Sequence, residues 1–214
     1  GGSLILEESD SFQNINTVSV PNAPAVAVDS GLTEVTKVNF KKDGIKNGKL
    51  TVNLNHSNFA PTVKREDDKL VVEFKNVMIP VELQRRINAD SVGTVTENID
   101  IASVKNNAKI VLEQKENWDY SFYQVGSQFV VEVKSSDKTQ QEKKYSGKPI
   151  TISFQDMDVR AILQVIADFT GLNIISSDKV AGTMTIRLKD VPWDQALDLV
   201  LEARGLQKIR DGNV

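Results

Sequence analysis

Few residues in this chain of 214 could carry out acid–base, nucleophilic or metal chemistry. There is one histidine, His56, and no cysteine, so thiol nucleophiles and disulfides are excluded, and zinc or histidine-rich metal sites are disfavoured. A serine–histidine–aspartate arrangement would need His56 as its base. This residue lies in the polar stretch LNHSN, which is typical of a solvated loop or strand end. The sequence therefore argues against an enzyme.

The regularly spaced carboxylates have structural explanations. Asp156 and Asp158 stand two residues apart, but they precede a helical pattern, where a carboxylate accepts the free amide protons of the first turn. Asp190, Asp194 and Asp198 recur every fourth residue, whereas a calcium loop needs closer ligands and a central glycine. We expect a helix cap and a solvated helix face, and we predict no catalytic, cofactor or metal site.

Aromatic residues offer a different chemistry, because their ring faces can stack on sugar rings. Trp118, Tyr120 and Phe122 share one face of a predicted strand, and Tyr123 lies on the other face. Trp118 and Tyr120 are nearest the turn, so we expect them to be the more exposed members and candidates for glycan binding. The alternative is that the three aromatic residues on one face form the core of a β-sandwich.

Two other features allow both a binding and a structural interpretation. Arg85 and Arg86, at the end of a predicted short helix, could bind carboxylates bidentately, or could simply form a solvated helix end. Trp193 follows Pro192 at a predicted helix start. It could contact a partner, or it could pack the helix against a sheet.

Composition and charge narrow the function classes further. The chain is 40% hydrophobic and 26% charged, as ordinary globular proteins are. Its net charge is −3, which disfavours nucleic-acid binding, because that affinity depends on phosphate neutralisation. No apolar run approaches the roughly 20 residues of a spanning helix. No large apolar patch is evident, so we expect a monomer at micromolar concentration.

Residues 33–134 alternate between apolar and polar side chains, as half-buried strands do. The clearest examples are Leu50, Val52 and Leu54, followed by Leu70, Val72 and Phe74. Further strands are predicted at 92–104, 108–114, 120–125 and 128–134, with a hairpin turn at Gly126 and Ser127. One short helix is predicted at 81–87, just after Pro80. Many short strands with frequent turns predict an all-β sandwich.

Residues 149–214 predict a small α/β domain with two helices. A strand at 150–154 precedes a helix that ends at Gly171 and whose apolar face contains Val159, Ile162, Leu163, Ile166 and Phe169. Strands are predicted at 172–176, around Met184, Ile186 and Leu188, and at 206–210. The second helix opens after Pro192, ends at Gly205 and buries Ala196, Leu197, Val200 and Leu201. A turn at 211–213 begins a hairpin that the end of the chain cuts short.

Two segments lack the periodicity of a domain. Residues 1–32 begin with Gly-Gly-Ser, which is typical of a cloning scar, and continue as a linker. Residues 135–148 contain almost nothing apolar and predict a flexible linker. We therefore expect two domains, at 33–134 and 149–214, that can reorient relative to each other.

Several motifs in the second domain resemble the secretin and TonB short N-terminal domain. They are ISFQDMDVR at 152–160, TGLNI at 170–174, VAGTMT at 180–185 and VPWDQAL at 191–197, and the match continues over 201–214. The PWDQAL helix start in particular resembles the outer-membrane secretins of type IV pili. The first domain is similar to an AMIN domain at 48–54, 69–77 and 118–133.

The resemblance implies a non-enzymatic, periplasmic fragment of a ring-shaped outer-membrane channel through which the pilus fibre passes. The AMIN domain would anchor the channel to peptidoglycan, with Trp118, Tyr120, Arg85 and Arg86 as candidate contacts. The α/β domain would dock a PilP-type inner-membrane lipoprotein, and other secretin subunits would complete the ring. An exposed strand edge is the expected docking mode. The candidate edges contain Leu172, Ile174, Leu206 and Ile209.

Two alternatives share parts of this pattern. The signalling domain of a TonB-dependent receptor contains the same α/β unit, but no β-sandwich would precede it. The targeting region of a cell-wall amidase contains the same β-sandwich, but its catalytic domain needs zinc ligands that one histidine cannot supply.

Overall fold

The computed structural model describes residues 31–137 and 145–212. The described residues from Thr33 onward belong to one compact unit. Its strands and helices, in chain order, are β1 (Thr33–Lys42), β2 (Gly48–Leu54), β3 (Pro61–Glu66), β4 (Lys69–Phe74), β5 (Val77–Met78), β6 (Arg85–Asn88), β7 (Thr96–Val104), β8 (Asn107–Gln114), β9 (Trp118–Val125), β10 (Gln128–Ser135), β11 (Pro149–Asp158), α1 (Val159–Thr170), β12 (Thr183–Pro192) and α2 (Trp193–Ala203). The predicted class, a β-rich region followed by a small α/β region with two helices, is confirmed.

The strands form two sheets that enclose a first hydrophobic core. One sheet has the order β3-β4-β8-β7-β6, and the other has the order β11-β12-β9-β10-β2-β1-β5. Strand β2 shows why the chain folds this way. Leu50 and Val52 are fully buried, whereas Thr51 and Asn53, which alternate with them along the strand, are partly exposed. Phe74 and Phe129, one from each sheet, meet edge to face in this core, with ring centroids 5.4 Å apart.

The short helix predicted at 81–87 is wrong. Val81–Leu83 forms a single 3-10 turn, and Arg85–Asn88 is strand β6, which pairs antiparallel with β7. The Gln84 side chain donates to the Ile79 carbonyl at 3.0 Å and accepts from the Ser103 amide at 3.3 Å, linking the turn to β7. A seven-residue segment has too little intrinsic helix stability to compete with a strand that places Ile87 against the first core.

The α/β region contains the predicted helices and their caps. The Asp158 carboxylate accepts the Arg160 amide at 2.8 Å and caps α1, and Gly171 ends this helix in the left-handed conformation, at φ +69°. Helix α2 begins at Trp193, and Gly205 follows its end at φ +65°. Met184, Ile186 and Leu188 of β12 are buried under the helices in a second core, as the alternation predicted.

Two predicted strands of this region are wrong. Residues 172–176 and 206–210 lie outside any strand, and neither segment pairs with a described strand. A strand persists when a neighbour receives its ladder hydrogen bonds, and an apolar sequence alone does not supply that neighbour. These segments instead run along the helices, where they border the groove described below.

The β-sandwich and the α/β region share one continuous sheet. Strand β12 pairs antiparallel with β9, matching Thr185 with Gln124, Ile186 with Tyr123 and Arg187 with Phe122. Tyr123 and Val130, on the outer face of the sandwich, belong to the second core. We call this junction the seam: the pairing of β9 with β12 together with Tyr123 and Val130. The expectation of two freely reorienting domains is wrong for the described residues, because the seam joins them through hydrogen bonds and shared core.

Several sequence predictions fall on residues that the structure does not describe. The cloning scar and nearly all of the N-terminal linker lie within residues 1–30, which are outside the described residues. The same holds for 138–144 of the predicted flexible linker and for 213–214 of the terminal turn. The domain bounds at 33–134 and 149–214 stay predictions, although Ser135 belongs to β10 and 145–148 lie beside α2.

Candidate partner-docking groove

Trp118, a predicted glycan contact, is buried. Its side chain is 3% exposed and packs in the first core. The Arg65 guanidinium of β3 lies 4.1 Å from the Trp118 ring centroid and donates to the Trp118 carbonyl at 2.8 Å. The expected exposure is wrong, because β9 is an interior strand and the edge of β3 covers this end of it. The alternative that the aromatic face forms sandwich core is the correct one for Trp118.

Tyr120 is half-buried, and its ring is already in contact with a cation. The Arg187 guanidinium of β12 lies 4.7 Å from the Tyr120 ring centroid and donates to the Tyr120 hydroxyl. The Trp118 ring lies beside it, with centroids 6.0 Å apart. Tyr120 therefore positions an arginine from the α/β region instead of presenting an open ring face.

Arg85 and Arg86 are exposed but do not form a pair. Successive residues of strand β6 point to opposite faces of the sheet. Arg86 forms ion pairs with Asp100 at 3.6 Å and Glu113 at 3.4 Å. Both arginines belong to the five-stranded sheet, whereas Trp118 and Tyr120 belong to the other sheet. The structure thus does not bring the four predicted peptidoglycan contacts into one site.

The four predicted docking residues, in contrast, line a single groove. A depression of about 930 Å³ lies between the two helices and the segments 172–177 and 206–210. Leu172, Ile174, Leu206 and Ile209 all line it, together with Leu163, Leu197 and Leu201 from the helices. The prediction of strand edges was wrong in form, but it selected residues that share one surface.

The rim of this groove exposes large apolar side chains that folding has not buried. Ile209 is 94% exposed, Ile175 80% and Phe169 47%. Helical spacing predicted Phe169 on the buried face of α1, and this is wrong, because Phe169 lies in the last turn and faces the groove. Ile175 was missed as a site residue, although the adjacent isoleucines 174 and 175 signalled that one of them must point away from the core.

The main chain along the groove is also unpaired. Among the described residues, the backbone groups of 173–176 and 207–209 make no hydrogen bond to another protein group. Exposed N–H and C=O groups beside apolar side chains can pair with an added strand. The groove therefore combines an apolar surface with hydrogen-bonding capacity for an extended peptide.

One wall of the groove is fixed by a carboxylate. Asp194 of α2 accepts the amides of Ser146 at 3.1 Å and Gly147 at 3.2 Å, and the Trp193 amide donates to the Lys148 carbonyl at 3.1 Å. The solvated face predicted for Asp194 and Asp198 is thus wrong, since Asp198 pairs with Lys208. Trp193 packs against the second core and also lines the groove.

Tyr145 adjoins the same wall. Partial desolvation, aided by the charge of Asp198 and by a hydrogen bond to it, raises the pKa of Tyr145 to about 12. The hydroxyl therefore stays protonated at neutral pH and can donate to Asp198. Residues 145–148 are consequently held on α2 by both backbone and side-chain hydrogen bonds.

The described residues contain no group of His, Asp and Glu side chains that could hold a metal ion. His56 lies in a loop, as predicted. Within the same residues, no helix is long and apolar enough to cross a membrane.

Comparison with known families agrees with this two-part architecture. Residues 37–139 match the AMIN domain, and residues 172–214 match the secretin and TonB N terminus short domain. The second match begins after α1, so the groove segments 172–177 and 206–210 lie within it. The chain thus contains an AMIN domain followed by a secretin-type N-terminal domain.

Curated relatives extend the similarity across the boundary between the two domains. The chain is 32% identical over 200 residues to the fimbrial assembly protein PilQ of Pseudomonas aeruginosa PAO1, covering 91% of this chain and 28% of that protein. It is 34% identical over 190 residues to the type IV pilus biogenesis and competence protein PilQ of Neisseria gonorrhoeae, covering 84% and 26%. The chain is therefore similar to these PilQ proteins over most of its own length, and it spans about a quarter of theirs.

A third relative is similar over a shorter part of the chain. The DNA utilization protein HofQ of Escherichia coli K12 is 38% identical over 71 residues, which is 32% of this chain and 17% of that protein.

Proposed function

We propose that the chain is the periplasmic part of an outer-membrane secretin channel for type IV pilus extrusion and retraction. The observation that carries this proposal is the similarity to PilQ proteins over 190–200 residues, which includes both domains. The chain acts without catalysis: it holds the channel in place and docks partners, while other secretin subunits complete the ring around the pilus fibre. An AMIN domain ahead of the secretin-type domain distinguishes it from a TonB-dependent receptor.

The AMIN domain anchors this region to peptidoglycan. The support is the family match over residues 37–139 together with exposed cations on its surface, including Arg85 and Arg86. Stem peptides of the cell wall contain carboxylates, which arginine binds well. Burial removes Trp118 from the candidate contacts, and Tyr120 acts through Arg187.

Sedimentation of the whole chain with purified peptidoglycan tests the anchoring role. We expect the protein to pellet with the wall at low salt and to be partly released as salt screens the charges. The two domains should not be separated for this experiment, because the seam pairs β9 with β12. A chain that stays in the supernatant at every salt concentration would contradict wall anchoring.

The groove docks a PilP-type inner-membrane lipoprotein as an added strand. Its support is the coincidence of unpaired backbone at 173–176 and 207–209 with the exposed side chains of Phe169, Ile175 and Ile209. Strand addition supplies affinity through main-chain hydrogen bonds, and apolar pockets select the side chains. Two of the sheet edges are less suited to an added strand, because Lys64 and Arg65 place positive charge along β3 and because bulges interrupt β11.

A matched pair of substitutions tests this docking. Ile175→Ser should weaken lipoprotein binding about tenfold, as truncation of an exposed apolar anchor does, without lowering the melting temperature. Val81→Ser is the control, because Val81 is 81% exposed on the sandwich and Ile175 is 80% exposed on the groove. Titration calorimetry gives both affinities. Equal affinity of the two variants would place the docking surface elsewhere.

A further inference from the structure

The seam creates a surface that neither domain has alone. Ile186 and Leu188 of β12 face the helices and are 1% exposed, so the alternate residues Arg187 and Lys189 face away from the helices. On that side β12 lies next to Tyr120 of β9 and near Arg65 of β3. We call Arg65, Arg187 and Lys189, with Asp119 and Tyr120, the seam cluster.

Positive charge exceeds negative charge in the seam cluster. Three cations face one carboxylate, that of Asp119, whereas the whole chain carries a net charge of −3. Arg65 and Lys189 lie 3.8 and 3.6 Å from the same Asp119 oxygen, which is beyond ordinary hydrogen-bond distance. The second Asp119 oxygen accepts from the Ser136 hydroxyl at 3.2 Å. The cations therefore retain donors that Asp119 does not use.

Aromatic rings fix the two guanidinium groups of the cluster. Arg65 lies over Trp118, and Arg187 lies over Tyr120 and donates to its hydroxyl. Stacking limits the rotamers of an arginine before any ligand arrives, so less side-chain entropy is lost on binding. Lys189 remains 56% exposed and Arg65 44% exposed at the side chain. The cluster is thus both accessible and pre-organised for an anion.

We propose that the seam cluster binds the stem-peptide carboxylates of peptidoglycan. The proposal rests on the wall-anchoring function above and assigns its contacts to a site built by both domains. Two planar guanidinium groups and an ammonium match carboxylates on a flexible polymer. Tyr120 is a positioning residue that orients Arg187. Wall binding would then require the intact seam, since Arg187 and Lys189 belong to the α/β region and Arg65 to the sandwich.

The test compares two peptidoglycan preparations, one native and one with its carboxyl groups converted to amides, in sedimentation with the whole chain. The unmodified chain should bind the amidated wall about fivefold more weakly. Lys189→Gln should lose about as much on native wall and should no longer distinguish the two preparations. Arg187→Gln should behave in the same way, whereas Tyr120→Phe, which keeps the ring, should show a smaller loss.

Lys75→Gln is the matched control, because it removes one positive charge from an exposed turn away from the cluster. Melting curves exclude a folding defect, and Lys189 is exposed enough to be replaced without one. If Lys189→Gln and Lys75→Gln lose equal affinity, attraction is a general charge effect and the site is overturned. If Arg85→Gln and Arg86→Gln weaken binding while the cluster variants do not, anchoring stands but this assignment fails. Absence of binding by the unmodified chain contradicts the anchoring function itself.

Discussion

The seam and the groove are two surfaces of the same α/β region. They differ in whether their backbone groups are hydrogen-bonded. At the seam, β12 donates and accepts ladder hydrogen bonds with β9, and Ile186 is 1% exposed between Tyr123 and Phe154. At the groove, 173–176 and 207–209 have no main-chain partner within the part of the chain that the structure describes, and Ile175 is 80% exposed. The β-sandwich therefore covers one side of the α/β region, and the groove on the other side stays accessible to a partner.

This difference suits the paired seam to rigid attachment and the unpaired groove to binding a partner. A paired, buried strand holds the α/β region to the sandwich. An unpaired segment has little local stability and gains most when a partner supplies the missing hydrogen bonds. Substitutions of the buried seam residues should therefore act on folding, and substitutions of the exposed groove residues should act on binding.

The largest effect on folding is expected from Ile186→Ala. Ile186 lies in the middle of the seam, belongs to the second core and pairs with Tyr123 of β9 and Phe154 of β11. Removing its buried side chain should lower the free energy of unfolding by about 2–5 kcal/mol, through lost apolar burial and the cavity that remains. Chemical denaturation of the whole chain measures this change.

Ile175→Ala makes the comparison quantitative. It deletes the same atoms at the groove, where Ile175 is 80% exposed, and should change the free energy of unfolding by no more than about 0.5 kcal/mol. A large loss for Ile175→Ala would show that the groove is part of the folding core.

Gly147→Ala tests the fixed wall of the groove. A Cβ atom at residue 147 would lie 2.5 Å from Trp193 Cδ1 and 2.7 Å from the Asp194 carboxylate. The clash should displace 145–148 from α2 and cost roughly 1–3 kcal/mol of unfolding free energy. Gly126→Ala makes a contrast, because nothing lies within 4 Å of its Cβ position and its cost comes only from φ +54°. Similar melting temperatures of Gly147→Ala and the unmodified chain would contradict the wall's rigidity.

The sequence predicted best those elements that are specified by a single hydrophobic period or by local capping residues. Alternation located β2, β4, β8 and β10, and helical spacing with Asp158 and Gly171 located α1 and its ends. Burial on each face follows directly from these periods. The 3-10 turn at 81–83 and strand β6 could not be found in this way, because their conformation depends on pairing with β7.

The sites depended on contacts between distant segments and were predicted less completely. Leu172, Ile174, Leu206 and Ile209 were selected because they lie on predicted strand edges, and they do line one groove, but their lack of strand pairing was not visible in the sequence. The alternation that places Trp118 on one face of β9 fits both an exposed ring that stacks on a sugar and a ring buried in the core, so it could not distinguish the two. The seam was not predicted, because no local sequence pattern in β9 or β12 indicates that these two strands pair with each other.

Val130→Ala tests whether a residue of the sandwich stabilises the α/β region across the seam. Val130 belongs to β10 of the sandwich, is 2% exposed and packs in the second core. Losing two methyl groups should cost about 1.5 kcal/mol, and the loss should appear as faster hydrogen exchange in α1 and α2 as well as in β10. Val71→Ala is the control, since Val71 is buried at 7% exposure on a strand outside that core. Unchanged exchange in the helices would mean that the seam does not couple the regions.

The smallest effect expected at the seam is a dependence of stability on alkaline pH. Burial raises the pKa of Tyr123 to about 12, with like-charge contributions from Glu202, Glu132 and Asp43. Because the folded pKa exceeds the ordinary value of 10, the folded state holds the hydroxyl proton more tightly than the unfolded state does. The associated stability is complete below pH 10 and is lost as the pH rises from 10 towards 12.

Tyr123→Phe isolates this contribution from the titration of lysines and of Tyr145, whose pKa is also about 12. The variant should lose less stability than the unmodified chain over the same pH interval, as measured by denaturation and by the ultraviolet absorbance of tyrosinate. Tyr120→Phe is the comparison at the seam, because the Tyr120 ring lies on the opposite face of β9 and packs against the first core. Identical alkaline slopes for Tyr123→Phe and the unmodified chain would show that water reaches the Tyr123 hydroxyl, and hence that β9 and the helices separate at the seam.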